Sequence, residues 1–179
     1  MPRDEAMRAL REEAGALGAA WTRVTAGARR RFGDVEVAVW HPPPADWERQ
    51  RVRNDDSIVI DVRWRAVSFL LTGDIGRDVE RGLRTTIPRA PLRIVKVPHH
   101  GSLTSSTTDF VRALAPGVAV VSAGRANHFG HPVPEVLRRY AEAGAAVFRT
   151  DLDGAVAVTT DGRTVEVSGF TGRRFMLRR

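Results

Sequence analysis

Cysteine is absent from all 179 residues, so neither a disulfide partner nor a thiolate-bound zinc is available, and any metal has to be held by His, Asp, Glu or water. Also missing is an apolar run near the roughly 20 residues that span a bilayer. Met1 to Leu10 carries charges where a signal peptide has its apolar stretch. The chain as given is expected to be soluble. Lysine is almost absent as well: of 28 basic residues only Lys96 is lysine and the rest are arginine. A net charge of +7 and a pI near 11.3 suit a polyanionic partner, because basic side chains that neutralise phosphates release counterions. The abundance of Arg, Ala, Gly and Val is equally what a GC-rich genome produces. The densest basic cluster, Arg29-Arg30-Arg31 before Phe32-Gly33-Asp34, reads as a solvated turn. No repeat, low-complexity tract or long linker divides the chain, and 42% hydrophobic residues support one domain, 1–179, with a real core.

Periodicity then orders the elements. Met7, Leu10, Ala14 and Leu17 recur at helical spacing within Arg3 to Ala20, predicting an amphipathic helix that needs a sheet to cover. Trp21–Thr25 and Val35–Trp40 read as short strands, and His41-Pro42-Pro43-Pro44 ends regular structure because proline supplies no backbone donor. A polar loop to Asp56 follows. Ser57–Val62 and Ala66–Thr72 predict a hairpin whose second strand is buried. Helices over Arg77–Thr85, Thr107–Leu114 and Val133–Ala143 then trade places with strands over Leu92–Val97, Val118–Ser122 and Ala146–Thr150. That alternation predicts an α/β chain (α+β in its antiparallel part), a mixed sheet flanked by helices. Gly154–Thr160 and Arg163–Val167 close the chain as a hairpin around Asp161-Gly162.

The polar residues sit where predicted strands end. Val67–Thr72 runs into Gly73-Asp74, Leu92–Val97 into Pro98-His99-His100-Gly101-Ser102, and Val118–Ser122 towards Asn127, His128 and His131-Pro132. Each piece alone has an ordinary explanation: Asp74 as a helix N-cap, the paired histidines as structural hydrogen-bonders. Together they converge, since four of the five histidines fall between positions 99 and 131 and follow strands that should be neighbours. Asp and neutral imidazole without Cys suit Zn²⁺ or Mn²⁺, and a carboxylate can bridge two such ions about 3.5–4 Å apart. Ser102, Thr104, Ser105 and Ser106 lead into a predicted helix N-terminus, where free N–H groups favour phosphate. Phosphate-ester chemistry is the expectation.

Leu70-Leu71-Thr72-Gly73-Asp74-Ile75, Lys96-Val97-Pro98-His99-His100-Gly101-Ser102 with Thr104-Ser105-Ser106, and Asn127-His128-Phe129-Gly130-His131-Pro132 resemble, in order, the motifs of the metallo-β-lactamase-like domain of ComEC-type DNA-internalisation competence proteins. Asn54-Asp55-Asp56-Ser57, Thr150-Asp151 and Gly154-Ala155-Val156 are similar too, and the likeness is strongest over 41–160. The resemblance implies an αββα sandwich and a metal-dependent, nuclease-like phosphodiesterase for DNA uptake in natural competence. It implies a divalent metal, Mn or Zn, two ions in the complete domain, with Asp74 and His99 as ligands and His100 serving instead of, or beside, His99. His100 and His131 become catalytic candidates, His131 as a proton donor to the leaving oxygen. Lys96, Ser102 and Asn127 become substrate-binding candidates, although Ser102 could simply cap a turn and Lys96 could be a strand residue with an exposed tip. Structural roles are favoured for Asn54, Ser57 and Asp151. The implied partners are DNA, single-stranded, and a membrane channel of the same protein or operon. By the same resemblance, the chain would be an outward-facing soluble domain of a cytoplasmic-membrane protein.

One departure bears on activity. Hydrolases of this fold place most ligands in an earlier H-x-H-x-D-H block, and none occurs here, where His41 stands alone. The chain is therefore expected to be the C-terminal portion of the domain, a truncated product, a fragment or one half of a split domain, inactive or weak alone and needing an N-terminal half as partner. The uncovered half should leave a sheet face or edge bare. Two other readings fit the same residues: a hydrolase of small phosphodiesters or esters on the same fold, and a non-catalytic DNA-binding remnant.

Overall fold

The computed structural model describes residues 5–44 and 53–178. The predicted helix start at Arg3 and much of the polar loop before Arg53 lie outside them.

Seven strands form one mixed sheet in sequence order: β1 (Arg29–Phe32), β2 (Val35–His41), β3 (Val59–Trp64), β4 (Val67–Leu71), β5 (Leu92–Lys96), β6 (Val118–Val121) and β7 (Ala146–Arg149). The first three pairings are antiparallel, and β4 to β7 run parallel. Parallel neighbours need crossovers, and these are the helices α2 (Arg77–Thr86), α3 (Thr108–Leu114) and α4 (Pro134–Glu142). Because the strand order advances steadily in one direction, right-handed crossovers put all three helices on the same face.

Alternation along the strands supplies a core to each face. Leu70, Val95, Ala119 and Val121 meet Ile75, Leu83, Phe110, Val136 and Tyr140 under the helices. Val67, Leu92, Ile94, Val118 and Phe148 point the other way, onto Val165 and Val167 of a second, three-stranded antiparallel sheet. Its strands are β8 (Val156–Thr160), β9 (Thr164–Gly169) and β10 (Arg174–Arg178), after a single helical turn, α5 (Thr150–Asp153). The result is helices, mixed sheet, small sheet, in that order. No described helix is long and apolar enough to cross a membrane.

Several expectations change. Trp21–Thr25 is irregular, and the strand lies instead in Arg29–Phe32, read above as a turn. The turn is one step later, at Gly33-Asp34, with Gly33 at φ +57 between the paired Phe32 and Val35. Arginines are well placed on such an edge strand, where charge discourages further pairing. Trp64 also belongs to its strand, the hairpin turning at Arg65-Ala66, and β10 carried no recognised signal. The opening helix, α1 (Glu5–Ala16), covers no core: none of its residues is buried, and Leu17 just beyond it is 80% exposed. The outer face of the small sheet shows Thr159, Glu166, Arg174 and Arg178 to solvent, with Met176 and Ala157 as apolar members. On the mixed sheet the apolar row continues past the small sheet through Val35, Val37, Ile60 and Val62 to Leu71, which is 47% exposed.

A buried ionic cluster ties β3, β4 and β5 beneath the helices. Asp61 is fully buried and accepts from Ser68 Oγ at 2.5 Å and Arg63 Nε at 2.7 Å, with Arg93 Nη2 at 3.9 Å. Arg93 also donates to the Pro88 carbonyl at 2.6 Å, while its Nε and Nη1 have no partner among the described residues. Burial lowers the Arg93 pKa and Asp61 partly restores it. Removing one member of a buried pair strands the other charge. Asp61→Ala is therefore expected to cost about 3–5 kcal/mol in urea unfolding, whereas Asp61→Leu with Arg93→Met should recover most of that loss; equal costs for both would count against the coupling.

Tyr140, the chain's one tyrosine, is fully buried beside Ser106 Oγ at 3.2 Å, and burial holds its phenol above the usual range. The fold keeps a proton that the unfolded chain releases above about pH 10, so stability falls as pH rises past that point. An alkaline absorbance titration should show tyrosinate only together with unfolding, and a reversible phenolate in the folded chain would contradict the burial.

Candidate functional site

The parallel register places the carboxyl ends of β4, β5 and β6 side by side: Leu71 pairs with Lys96, and Lys96 with Val120. The three loops that leave these ends are therefore adjacent. Glycine permits close approach at two points, one to the segment before β3 and one between the loops after β5 and β6. Gly73, at φ +58, leaves no room for a Cβ, which would lie 2.5 Å from Ser57 Cβ. Gly101, at φ +82, is pressed against Pro132, and its carbonyl accepts from Val133 N at 2.9 Å.

Between these glycines, His99 and His100 take consecutive left-handed conformations, φ +47 and +55. That geometry costs roughly 1–2 kcal/mol per residue for an L-amino acid and persists only where surrounding contacts impose it. The contacts are visible. His99 N donates to the Gly73 carbonyl at 3.2 Å, and Ser102 N donates to the His99 carbonyl at 2.9 Å.

Hydrogen bonding sets both imidazoles. His100 Nδ1 lies 2.7 Å from the Ser122 carbonyl, which can only accept, so Nδ1 carries the proton. In the neutral ring Nε2 then holds a lone pair, 3.5 Å from Asp74 Oδ1. A ring nitrogen fixed by a backbone carbonyl with its partner nitrogen free is the usual state of a metal-ligating histidine. His99 differs: its Nε2 is 3.1 Å from Asn54 Nδ2, and its Nδ1 is 3.4 Å from Thr104 Oγ1. Asp74 Oδ1 also lies 3.3 Å from Lys96 Nζ, which donates to the Gly73 carbonyl at 3.0 Å.

The other candidates are engaged within their loops. Asn127 Nδ2 donates to the Gly124 carbonyl at 3.0 Å and to the His131 carbonyl at 2.6 Å, and Asn127 Oδ1 accepts from His131 N at 3.0 Å. Ser102 is buried, with its Oγ 3.0 Å from Thr104 Oγ1. His131 reaches the site edge-on, its ring 6.0 Å from that of His99. Burial, then the neighbouring His99 and His100, lower its pKa, and its Nδ1 is buried without a partner among the described residues.

The helix entrances behind the site are occupied by the chain's own carboxylates. Glu80, buried in α2, accepts from Ser106 N and, at 2.8 Å, from Thr107 N. Burial raises the Glu80 pKa, and these donors counter it. Ser105 and Ser106 are buried too. The entrance to α3, expected to receive a phosphate, is thus already occupied by the Glu80 side chain. Asp55 Oδ1 does the same for Gly76 N at 2.7 Å, ahead of α2.

Sequence reasoning favoured a structural role for Asn54 and gave Asp55 none, and the structure brings both to a cavity beside His99. With Arg53 and Arg77 they line this cavity of about 530 Å³, which also reaches Asp74, His99 and Thr104. The signal was present in the Asn54-Asp55-Asp56-Ser57 motif, but local spacing could not show that it folds back onto β4. Ser57 Oγ accepts from Asp74 N at 3.0 Å. Asp151 lies apart from this group and pairs with Arg149.

Asp74 and His100 make a two-donor set, fewer than the three protein ligands of a catalytic zinc. Among the described residues no three His, Asp or Glu side chains are placed to hold a metal ion. The described residues thus bring two candidate donors, Asp74 and His100, within reach of one another.

No family model matches the chain. It is 31% identical over 156 residues to ComE operon protein 3 of Bacillus subtilis, a match that covers 87% of this chain and 19% of that protein. It is 36% identical over 104 residues to Competence protein ComA of Neisseria gonorrhoeae, covering 58% of the chain and 15% of the relative. Recombination protein 2 of Haemophilus influenzae is 34% identical over 108 residues, 60% of the chain and 14% of that protein. The chain thus spans less than a fifth of the length of these relatives, whose names support a competence protein of the ComEC kind.

The Gly101 interlock is testable against a control. Gly101 and Gly130 both have positive φ, but only Gly101 is crowded. Gly101→Ala is expected to lose about 1–3 kcal/mol from strain and more from the Pro132 clash, while Gly130→Ala loses the strain component alone. Equal unfolding midpoints for the two variants would mean that the loops are not locked at this point.

Proposed function

We propose that this chain is part of a ComEC-like protein of DNA uptake and that its strand-end rim binds the phosphodiester backbone of single-stranded DNA. The observation that carries the reading is the convergence of Asp74, His99, His100, Lys96 and Asn54 on one sheet edge, beside a cavity flanked by Arg53 and Arg77. Arginine and lysine beside the groove suit phosphate oxygens, and the +7 charge favours the approach of a polyanion. The competence names of the relatives support a role in DNA uptake.

In this reading Lys96 and the groove arginines hold phosphate, while Asn127 and Ser102 fix the loops rather than touch substrate. Asp74 and His100 supply part of a divalent-metal set for nuclease-like hydrolysis, with the missing donors contributed from outside these residues. The domain is of the metallo-β-lactamase type, and the half-covered apolar row from Val35 to Leu71 is where its other half packs. The membrane channel belongs to the rest of the protein or its operon. Among the described residues the chain has no complete catalytic set, so we assign it binding and no hydrolytic step of its own.

A non-catalytic DNA-binding role is favoured by one contact, the Lys96 ammonium on Asp74 Oδ1, which places a cation where a metal would otherwise bind. Calorimetry with Mn²⁺ and Zn²⁺, run alongside DNA binding and cleavage on the same samples, separates the readings. Weak metal binding, no cleavage and DNA affinity that falls steeply with salt are expected, with Lys96→Ala weakening DNA binding. Tight metal binding and cleavage, both lost in Asp74→Ala and His100→Ala, would instead show a self-sufficient enzyme. Turnover of a small chromogenic diester without DNA binding would move the substrate class to small esters. DNA affinity that survives chelation and Asp74→Ala would identify a pure binding module.

A further inference from the structure

Phe129 stands 83% exposed at the tip of the loop between β6 and α4. A phenylalanine so placed contributes little to folding, since its stabilisation comes from the area removed from water. Its ring nevertheless has a defined seat. It stacks on His131 with centroids 6.2 Å apart and planes 20° from parallel. His131 in turn meets His99 edge-on at 6.0 Å. The three rings form a continuous series from the groove outward, ending in an aromatic face open to solvent.

The loop beneath this face is braced. Asn127 closes it with three hydrogen bonds, two of them to the backbone of His131, the ring on which Phe129 rests. Its start is held where Ala123 N and O both bond Thr150 Oγ1 at 2.8 Å, and Arg125 Nε lies 3.3 Å from the Asp151 carbonyl. Other exposed aromatics, Trp21, Phe32 and Phe170, lack such a ring series leading into the groove.

A planar, rigidly supported aromatic face beside a groove where Arg53 and Arg77 stand among Asp55, Asp74 and Asp78 matches one ligand chemistry: an unpaired nucleobase whose own phosphate neighbour is held by the groove arginines. We infer that Phe129, backed by His131, is a stacking platform for a base of single-stranded DNA and gives the site its preference for single strands over duplex. Every base has a π face, so the platform is tolerant of sequence. Bases inside a duplex are already stacked and cannot reach it without being extruded. This inference rests on the phosphodiester reading above and adds to it the residue that selects an unpaired base.

The test uses fluorescence anisotropy with short single-stranded oligodeoxynucleotides, intact or carrying one abasic position, and with the matching duplex. Phe129→Ala is expected to weaken binding of the intact strand by about tenfold, with an unchanged melting temperature because the side chain lies in solvent. Phe129→Trp should keep the affinity. An abasic position should weaken binding to the unsubstituted chain and leave Phe129→Ala indifferent. Equal affinities of the two chains, with a steep salt dependence in both, would overturn the platform and leave the phosphodiester reading intact. No binding of any DNA at low salt would overturn both.

Discussion

Because β4, β5 and β6 lie side by side and run parallel, every crossover returns the chain to the same edge, and the loops leaving their carboxyl ends meet there. Loops in contact need close approach, which Gly73 and Gly101 permit and a Cβ at either would block. Once the loops interlock, His99 and His100 have little choice of backbone. Their left-handed conformations store strain that the rigid strands on either side sustain. Site geometry here follows from strand pairing.

The rim is supported from below by polar groups that are buried or largely so. Glu80 accepts from the backbone of Ser106 and Thr107, Tyr140 touches Ser106, and Arg139 donates to the Ser106 carbonyl at 2.9 Å. Two helices, α2 and α4, thus hold one loop whose far side presents Thr104 to His99. Such a network is strong when every member is satisfied, because each contact forms away from competing water. Ser102, Ser105 and Ser106 are buried in this packing, whereas Asp74, His100 and Lys96 keep part of their side chains open to solvent.

Charge is divided in the same way. Arg63 and Arg93 are engaged with buried Asp61, and Arg149 with Asp151. Arg53 and Arg77 border the groove, and the arginines of β1 line a sheet edge. The net charge is therefore a poor guide taken as a sum, and the position of each arginine decides whether it folds the chain or faces a polyanion.

The sequence by itself determined the alternation of helix and strand from Ser57 to Thr150, the buried central strands and the order of the motifs, because period-two and helical patterns are local properties of the chain. It also established that thiolates play no part. Tertiary structure alone decided the rest. Trp21–Thr25 has strand-like composition but no neighbour to pair with, whereas Arg29–Phe32 pairs despite its charge because a two-residue turn delivers it to β2. The apolar stripe of α1 was legible, but it meets no core among the described residues. Asn54 reaches His99 across 45 positions, and Glu80 reaches Ser106 across 26. Contacts of that range depend on how strands register and helices pack, and no local pattern encodes them.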